Sequence, residues 1–264
     1  MRALVMLAAA LAPTIGYSQA PVITGAVNVA SFHQPLSPGS LVSLFGTGLA
    51  ASTATASTVP LPDSIAGVSV TFGGITAPLY FVSPGQINLQ VPWSVIPGVT
   101  DIVVTVGGTT SAAFRAQVSS VSPAIFTIPG SHQAVAINPD GSIAGDYGSI
   151  PGVRTYPAVA GQTLVILATG LGLVTPEATD SVASPDRLRT TFATPTVLIG
   201  GFPAVVTFSG LSPQFVGVNQ INIVVPESAW GPSGSGGKWP IQIELNGILT
   251  SDKVTIYVNG KWEY

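Results

Sequence analysis

Alternating apolar and polar residues that lead into tight-turn dipeptides dominate this sequence. Such runs occur at Val68–Phe72 before Gly73-Gly74, at Asp101–Val106 before Gly107-Gly108, at Ile241–Leu245 before Asn246-Gly247, and at Lys253–Val258 before Asn259-Gly260. A period-two run followed by Gly-Gly or Asn-Gly is the strongest short-range signal for a β-hairpin. The 23 prolines point the same way, because a proline inside a helix costs about 3 kcal/mol. The pattern predicts an all-β chain.

Composition excludes several classes of protein. Hydrophobic residues make up 46% of the chain and charged residues only 7%, which is the opposite of a disordered segment. The sequence has no cysteine, so disulfide scaffolds and thiolate-ligated metal sites are excluded. Eight basic against eleven acidic side chains argue against a nucleic-acid partner, since that binding depends on neutralising phosphates.

Four blocks of sequence occur twice in the same order. They are Pro38–Leu49 with Ala160–Leu171, Phe72–Ala77 with Ile199–Ala204, Gln86–Pro92 with Gln220–Pro226, and Gly107-Gly108 with Asn246-Gly247. The offset between the copies grows along the chain, as it does when loops lengthen between fixed strands. The repeat predicts two copies of one β-domain of about 100 residues, a usual domain size.

The predicted division of the chain follows from this repeat and from the N-terminus. Residues 1–20 have a basic start, an apolar run and small residues before a cleavage point, as a signal peptide has. The apolar run is too short for the ~20 residues of a membrane helix, and a retained anchor is the alternative. We predict a first sandwich at 21–121 and a second at 122–264. The second begins with a hairpin extension at 122–157. Loops at Ala51–Thr58 and Gly231–Gly237 are predicted to be mobile because they contain almost only small and polar residues.

The repeated blocks also carry a family resemblance. Asn28–Phe32, Pro38–Gly46, Ala77–Asn88 and Val91-Pro92 resemble the Solibacter-type C-terminal domain of acidobacterial secreted proteins, a family without an established activity. Each copy is similar to an IPT/TIG domain, an immunoglobulin-like sandwich. The resemblance spans roughly residues 22–258. It implies two tandem immunoglobulin-like (IPT/TIG-like) β-sandwiches that arose by internal duplication.

Several motif residues are expected to have a structural role. Proline presets φ and glycine allows positive φ, so these residues suit turns, bulges and sheet corners. The amides at 86, 88, 220 and 222 each share one strand face with a partner two residues away, and we expect them to bond backbone groups. A polar row that recognises a ligand is the alternative. The predicted structural residues are Gly39, Gly48, Gln86, Asn88, Pro92, Gly161, Gly170, Gln220, Asn222 and Pro226.

Candidate chemistry is sparse. The two histidines, His33 and His132, are expected to be solvent-facing loop residues, because a catalytic zinc site takes three protein ligands. Asp140 and Asp146 are weak candidates for calcium, with Ser142 between them. Their spacing does not match an EF loop, and a plain Asp-Gly turn is the alternative. No catalytic residue and no cofactor are predicted.

Aromatic side chains are the remaining binding candidates. Trp93 and Trp230 follow the two Val-Pro blocks at corresponding ends of the two domains, so both are predicted ligand-binding residues. Trp239, Trp262, Tyr80 and Tyr147 are further candidates for stacking on sugar rings. The alternative is that the tryptophans cover open core ends or the interface between domains.

These features predict a non-enzymatic protein, secreted or held at the cell surface, that acts as a structural, adhesive or interaction module. The expected partner is a protein or polysaccharide at the cell surface, and no transmembrane segment is expected in the mature chain. A carbohydrate-binding module that uses exposed aromatics is the alternative. Few charges favour the first hypothesis, since such a surface has low self-repulsion.

Overall fold

A computed structural model describes residues 20–230, 237–251 and 253–259. Strands account for nearly all of its regular structure. They are β1 Val22–Asn28, β2 Leu41–Thr47, β3 Ala54–Thr55, β4 Val68–Phe72, β5 Ile75–Thr76, β6 Leu79–Val82, β7 Gln86–Gln90, β8 Gly98–Val106, β9 Thr109–Thr110, β10 Phe114–Val118, β11 Ala124–Ile125, β12 Ala136–Ile137, β13 Ile143–Ala144, β14 Thr155–Tyr156, β15 Ala158–Val159, β16 Thr163–Thr169, β17 Val174–Thr175, β18 Thr190–Thr191, β19 Thr196–Ile199, β20 Phe202–Leu211, β21 Asn219–Val224, β22 Gly237–Leu245, β23 Ile248–Leu249 and β24 Thr255–Asn259. A 3-10 helix, Glu227–Trp230, follows β21.

The tight turns form where the dipeptides predict them. Gly73 and Gly74 join β4 to β5 with φ of 55° and 85°, the left-handed geometry that a type I′ turn requires at both positions. The same geometry joins β8 to β9, and Asn246 lies at φ 52° in the turn from β22 to β23. These three hairpin predictions are confirmed. The turn predicted after β24 includes Gly260, which lies outside the described residues.

The first sandwich packs two sheets against each other. One has the order β1-β2-β7-β6-β3, and the other has the order β10-β8-β4-β5 with β9 paired to β8. Strand alternation decides which side chains enter the core, so Ile87 and Leu89 of β7 are fully buried while Gln86 and Asn88 face outward. The core between the sheets includes Phe72.

The second sandwich repeats this arrangement within one connected sheet system of fourteen strands. The connection arises at β20, which corresponds to β5 and β6 together. In the first copy Pro78 interrupts that strand, since proline cannot donate to a ladder. Its counterpart in the second copy is Val205, which pairs with Val224, so β20 continues from one layer into the other.

The pairing registers show that the two halves are copies. Ser43 and Leu44 of β2 lie opposite Asn88 and Ile87 of β7. In the second half, Val165 and Ile166 of β16 lie opposite Asn222 and Ile221 of β21. The chain is therefore an all-β protein of two tandem immunoglobulin-like sandwiches related by internal duplication.

The segment 122–157 does more than cap the second sandwich. β12 and β13 form the predicted hairpin, and Ile137 pairs with Ile143. In addition, β11 and β12 pair with β16 in the place that β1 takes beside β2, so this segment supplies the missing first strand of the second copy. Sequence comparison between the halves did not reveal it because β11 and β12 are only two residues each.

Two loops were expected to be mobile. Within 51–58, Ala54 and Thr55 instead form β3, which pairs with Val82 and Phe81 of β6. The expectation of a mobile loop is wrong at these two residues, because small side chains do not prevent the backbone from pairing with the edge of a sheet. Of the second loop, 231–236 lie outside the described residues, and Gly237 begins β22.

Two hydrophobic cores divide along the chain. The first includes buried residues up to Val118, and the second includes buried residues from Val121 onward. The domain division between 121 and 122 remains our proposal, and the change of core lies close to it, between Val118 and Val121. Among the described residues there is no helix long and apolar enough to cross a membrane. The predicted signal peptide at 1–20 lies, except for Ala20, outside the described residues.

Candidate functional site

Hydrogen bonds between the sandwiches form a polar seam. Asn28 Nδ2 donates to the carbonyl of Ser122 over 3.0 Å, and the Leu41 amide donates to Thr169 Oγ1 over 3.1 Å. Tyr80 reaches across to the Val216 carbonyl at 2.8 Å, and burial raises the pKa of its phenol to about 12. Several of these groups are buried, so removing one partner of such a bond would leave the other unpaired at a cost of about 1–3 kcal/mol.

The segment between β17 and β18 clamps the same end of the first sandwich. The Trp93 amide donates to Asp180 Oδ1 at 2.8 Å, and the Ser181 amide donates to Gln90 Oε1 at 2.9 Å. In return, the Leu61 amide donates to the Ser181 carbonyl at 2.8 Å. A loop of the second sandwich is thus held against the strand end that carries Trp93.

A cleft of about 540 Å³ opens beside this clamp, and we call it the Trp93 cleft. Both sandwiches contribute to it: the first supplies Trp93 and Ser94, and the second supplies Leu173, Val174, Glu177, Ala178, Thr179, Asp180 and Phe192. Phe192 and Leu173 are 73% and 51% exposed, so their apolar surfaces are open to a binding partner. The cleft combines aromatic and aliphatic surface with two carboxylates.

Local sequence explains how Trp93 is placed. β7 ends at Gln90, and Pro92 turns the chain so that Trp93 follows at the edge of the sandwich. The ring packs on Gly39, where a Cβ atom would lie 2.1 Å from Trp93 Cη2. Gly39 has φ +75°, so the Pro-Gly motif both turns the chain and leaves space for the indole. The indole Nε1 is buried and has no hydrogen-bond partner among the described residues.

Asp180 is the electrostatic feature of the cleft. Partial burial raises the pKa of its carboxyl, the bond from the Trp93 amide lowers it, and the nearby charge of Asp63 raises it further. The net pKa is above the ordinary value because burial and the Asp63 charge outweigh the hydrogen bond from the Trp93 amide. Glu177 adds a second carboxylate to the lining. The cleft therefore offers acceptors to hydroxyl or ammonium groups beside an aromatic ring.

Arg189 holds the loop that supplies these carboxylates. Its guanidinium, almost fully buried, donates to Asp186 Oδ1 at 2.7 Å, to Ser184 Oγ at 2.8 Å and to the Glu177 carbonyl at 3.1 Å. The bonds from Arg189 and Arg187 lower the pKa of the Asp186 carboxyl well below its usual range. Because the guanidinium donates these hydrogen bonds within the loop, Arg189 stabilises the loop at the edge of the cleft.

A second cleft of about 820 Å³ contains both histidines. His33 comes from the first sandwich and His132 from the second, and both are exposed, as predicted for loop residues. The other polar side chains in the described lining are hydroxyls, one amide and Lys253. The described lining contains no carboxylate, and the neighbouring Asp252 lies outside the described residues.

The paired amides bond each other, not the backbone as predicted. Gln86 Nε2 donates to Asn88 Oδ1 at 2.8 Å, and Gln220 Nε2 donates to Asn222 Oδ1 at 2.9 Å. In the first copy the Ser43 hydroxyl also donates to Asn88 Oδ1 at 2.8 Å. Side chains two residues apart on a strand point the same way, so the nearest partner for each amide is the other amide.

The structure does not bring the calcium candidates together in a bonded group. Asp140 accepts bonds from the hydroxyl and amide of Ser142, which lower the pKa of its carboxyl, and it pairs with Arg154 at 2.9 Å. Asp146 accepts a bond from the Tyr147 amide. Within 20–230, 237–251 and 253–259 there is no group of three or more His, Cys, Asp or Glu residues arranged to hold a metal ion.

The other aromatic candidates are dispersed. Trp239 packs against the second core and over Gly200, with its Nε1 buried. Tyr147 stacks edge-on against Tyr156 on the surface of the extension. Trp230 ends the 3-10 helix, and its side chain lies outside the description, as does all of Trp262. The shared patch of Trp93 and Trp230 therefore remains a prediction.

The remaining structural residues occupy turns and strand ends. Gly48, Gly161 and Gly170 have φ of 64°, 79° and 82°, which is the conformation expected of them. Pro92 is buried and Pro226 partly buried, each directly after the strand that bears an amide pair. Gly170 also lies at the seam, where a Cβ atom would come within 2.0 Å of the Ser122 carbonyl oxygen.

Sequence reasoning missed the loop that completes the Trp93 cleft. Asp180, Ser181 and Arg189 lie in a stretch without repeat or strand pattern. The one available signal was the insertion itself, since the spacing between repeated blocks increases there. The sequence shows that residues 188 and 192 are Leu and Phe. It does not show that both side chains are exposed, because their exposure depends on how the loop folds.

No curated protein sequence matches the chain. Solved structures match at low similarity. One is the full extracellular region of plexin A4, with 11% identity, a TM-score of 0.30, and coverage of 90% of this chain and 18% of that chain. Another is the surface protein SGBP-B from the mixed-linkage glucan utilization locus of Bacteroides ovatus, in complex with a heptasaccharide. It shows 15% identity, a TM-score of 0.33, and coverage of 88% and 44%.

A third is the S-layer protein SbsC, domains 5–6, with 11% identity, a TM-score of 0.28, and coverage of 92% of this chain and 100% of that chain. The chain spans less than half the length of plexin A4 and of the Bacteroides ovatus protein. With TM-scores of 0.33 and below, these similarities are too distant to indicate a ligand or a partner.

One family model matches part of the chain. The match is to the IPT/TIG domain and extends over residues 28–120. That range contains β2 through β10 and almost the whole first core. The Solibacter-type resemblance stays a prediction. The similarity to the IPT/TIG domain is thus carried by residues 28–120.

Proposed function

We propose that the protein is a non-enzymatic, exported interaction module, structural or adhesive in role, that acts at the cell surface or outside the cell. The observation that supports this most is the Trp93 cleft, which exists only where the two sandwiches meet. Trp93 comes from one sandwich, and Asp180 and Phe192 come from the other. Export itself rests on the sequence of residues 1–20.

Fixed geometry favours binding over a passive spacer role. The clamp at Gln90, Trp93 and Ser181 fixes the loop that lines the cleft, so little ordering entropy is lost when a partner enters. Exposed apolar side chains beside the cleft, Leu173 and Phe192, supply area that a partner can bury. Clefts at domain boundaries are frequent places for ligands.

A carbohydrate-binding module is the second candidate. It is favoured by one arrangement, in which Trp93 and Phe192 line the same cleft as the carboxyl of Asp180. An aromatic face covers the apolar side of a sugar, and a carboxylate accepts bonds from its hydroxyls. The expected partner class is thus a protein or a polysaccharide of the cell surface.

The test compares Trp93→Phe with Trp239→Phe. Trp93 lines the cleft, whereas Trp239 packs on the second core, so the control changes the same residue type away from the site. Binding of the purified protein to cell-envelope preparations and to purified polysaccharides is measured by co-sedimentation and tryptophan fluorescence. We expect Trp93→Phe to weaken binding about tenfold or more and Trp239→Phe to leave it unchanged. Absence of binding to every preparation, or equal binding by both variants, would contradict the proposal.

A further inference from the structure

Each sandwich presents a pair of amides on the outer face of its central strands. In β7 the pair is Gln86 and Asn88, and in β21 it is Gln220 and Asn222. All four side chains are partly exposed, while the residues between them, Ile87 and Ile221, are fully buried. The pairs therefore lie on solvent-facing surfaces, which we call the first and second amide faces.

Apolar side chains frame the amides at equivalent positions. Phe81 lies opposite Asn88 in the register of the first sandwich, and Phe208 lies opposite Asn222 in the second. Phe45 and Leu167 occupy the matching places beside Gln86 and Gln220, which are their register partners. All four apolar side chains are partly exposed. In each amide face a phenylalanine lies opposite the asparagine. The glutamine lies opposite a phenylalanine in the first face and a leucine in the second.

Internal bonding preorganises the first face and leaves capacity for a ligand. Asn88 Oδ1 accepts bonds from Gln86 Nε2 and from the buried Ser43 hydroxyl, both at 2.8 Å, and these bonds fix the amide orientation. Asn88 Nδ2 and Gln86 Oε1 have no partner within the described part of the chain. A donor and an acceptor are thus fixed side by side, with aromatic surface adjacent.

The seam joins the two sheets that carry these faces. The Leu41 amide at the start of β2 donates to Thr169 Oγ1 at the end of β16. Gly217, just before β21, packs on the Leu41 side chain, where a Cβ atom would lie 2.7 Å from Leu41 Cδ2. The two faces therefore belong to sandwiches that are joined by direct contacts.

We propose that the two amide faces bind a neutral polysaccharide and engage it together. This inference deepens the proposed function, on which it rests, by naming the partner class and a second surface outside the Trp93 cleft. Each sugar hydroxyl both donates and accepts, so adjacent hydroxyls complement the free donor of Asn88 and the free acceptor of Gln86. The neighbouring Phe81 ring covers the apolar side of the sugar.

Two observations favour a polysaccharide over a protein. The residues that form the faces are all uncharged, so they match a neutral partner and not a charged one. The same surface occurs twice in one chain, and a polymer of repeating units is the partner that can bind both copies through the same groups. Simultaneous contact raises apparent affinity by about 10²–10⁴ over a single contact.

The experiment uses Asn88→Ala, Asn222→Ala and the double variant in the full protein. Gln117→Ala is the matched control, because Gln117 is an exposed amide on β10 in the other sheet. The probes are soluble cellulose, galactomannan and dextran, each as polymer and as hexasaccharide, measured by calorimetry. We expect each single variant to weaken binding to one of these polymers by about 100-fold or more and the double variant to abolish it. Hexasaccharide stoichiometry should fall from two sites to one in each single variant.

Folding of each variant is checked by circular dichroism. If Asn88→Ala fails to fold, Gln86→Glu and Gln220→Glu replace the alanine variants, since they keep the side-chain size but put a carboxylate oxygen where Nε2 donates to the asparagine Oδ1. The inference is overturned if no neutral polymer binds, if the double variant binds as the wild type does, or if either single variant abolishes all binding. Self-association that disappears in the double variant would also overturn it, because the faces would then contact a second copy. Binding that depends on Trp93 alone would leave the proposed function standing and refute the amide faces.

Discussion

Gly170 is the residue whose substitution tests the seam most sharply. Its φ is +82°, and a Cβ atom placed on it would lie 2.0 Å from the Ser122 carbonyl oxygen and 2.7 Å from its carbonyl carbon. Real Cβ contacts essentially never come under 3.0 Å, so the Ser122 backbone would have to move by about 1 Å or more. Ser122 carries the buried bond from Asn28 of the first sandwich, so that movement breaks the seam.

The expected cost of Gly170→Ala has two parts. A left-handed φ costs an alanine about 1–2 kcal/mol. Loss of the buried Asn28–Ser122 bond adds about 1–3 kcal/mol, because it leaves a buried amide unpaired. We therefore expect the free energy of unfolding to fall by about 2–5 kcal/mol.

Gly161→Ala is the matched control. Gly161 has φ +79°, almost the same as Gly170, but a Cβ atom there would meet nothing within 4 Å. It should lose only the conformational part, about 1–2 kcal/mol. Urea denaturation followed by circular dichroism and by tryptophan fluorescence measures both variants. Equal losses in the two variants would refute the packing argument at the seam.

Two other predictions concern charge and core. Asp180→Asn keeps an oxygen acceptor for the Trp93 amide and removes the carboxylate. The pKa of the Asp180 carboxyl is raised in the folded state, so the charged carboxylate destabilises the fold at pH values above that pKa. This penalty disappears as the pH falls to the pKa of the carboxyl in the unfolded chain. The variant should therefore be more stable than the wild type at pH 7 and equal to it at pH 3, and an advantage that grows on acidification would contradict the pKa direction. Phe72→Ala should cost about 3–5 kcal/mol in thermal and urea unfolding, since Phe72 is fully buried in the first core, and a loss under 1 kcal/mol would show that the core is packed differently.

Local turn chemistry made much of the fold predictable. A tight type I′ hairpin turn requires positive φ at two adjacent residues, and Gly73-Gly74 and Asn246-Gly247 adopt it easily. Few other dipeptides do, so these pairs identify the hairpins in the sequence. The repeat then placed corresponding strands without reference to tertiary contacts. Period-two alternation also indicated which side chains enter the core, as at Ile87 and Leu89.

Other features depend on contacts that no local pattern encodes. The bond from Trp93 to Asp180 joins residues 87 positions apart, and it exists because two folded domains dock. The partner of Gln86 was mispredicted because strand period fixes the direction of a side chain and leaves its hydrogen-bond partner open. The fusion of the second sandwich into one sheet system depended on Val205 standing where the first copy has Pro78, a difference visible in the sequence but not interpreted.

Nuclear magnetic resonance titration tests the central claim, that both sandwiches of this chain take part in binding a neutral polysaccharide, most directly. Isotope-labelled protein is titrated with hexasaccharides of cellulose, galactomannan and dextran, and backbone amide shifts are mapped along the chain. The account predicts shifts at Trp93 and Ser181 together with shifts in β7 and β21. Unchanged spectra with every sugar, or shifts confined to the loops of His33 and His132, would contradict it.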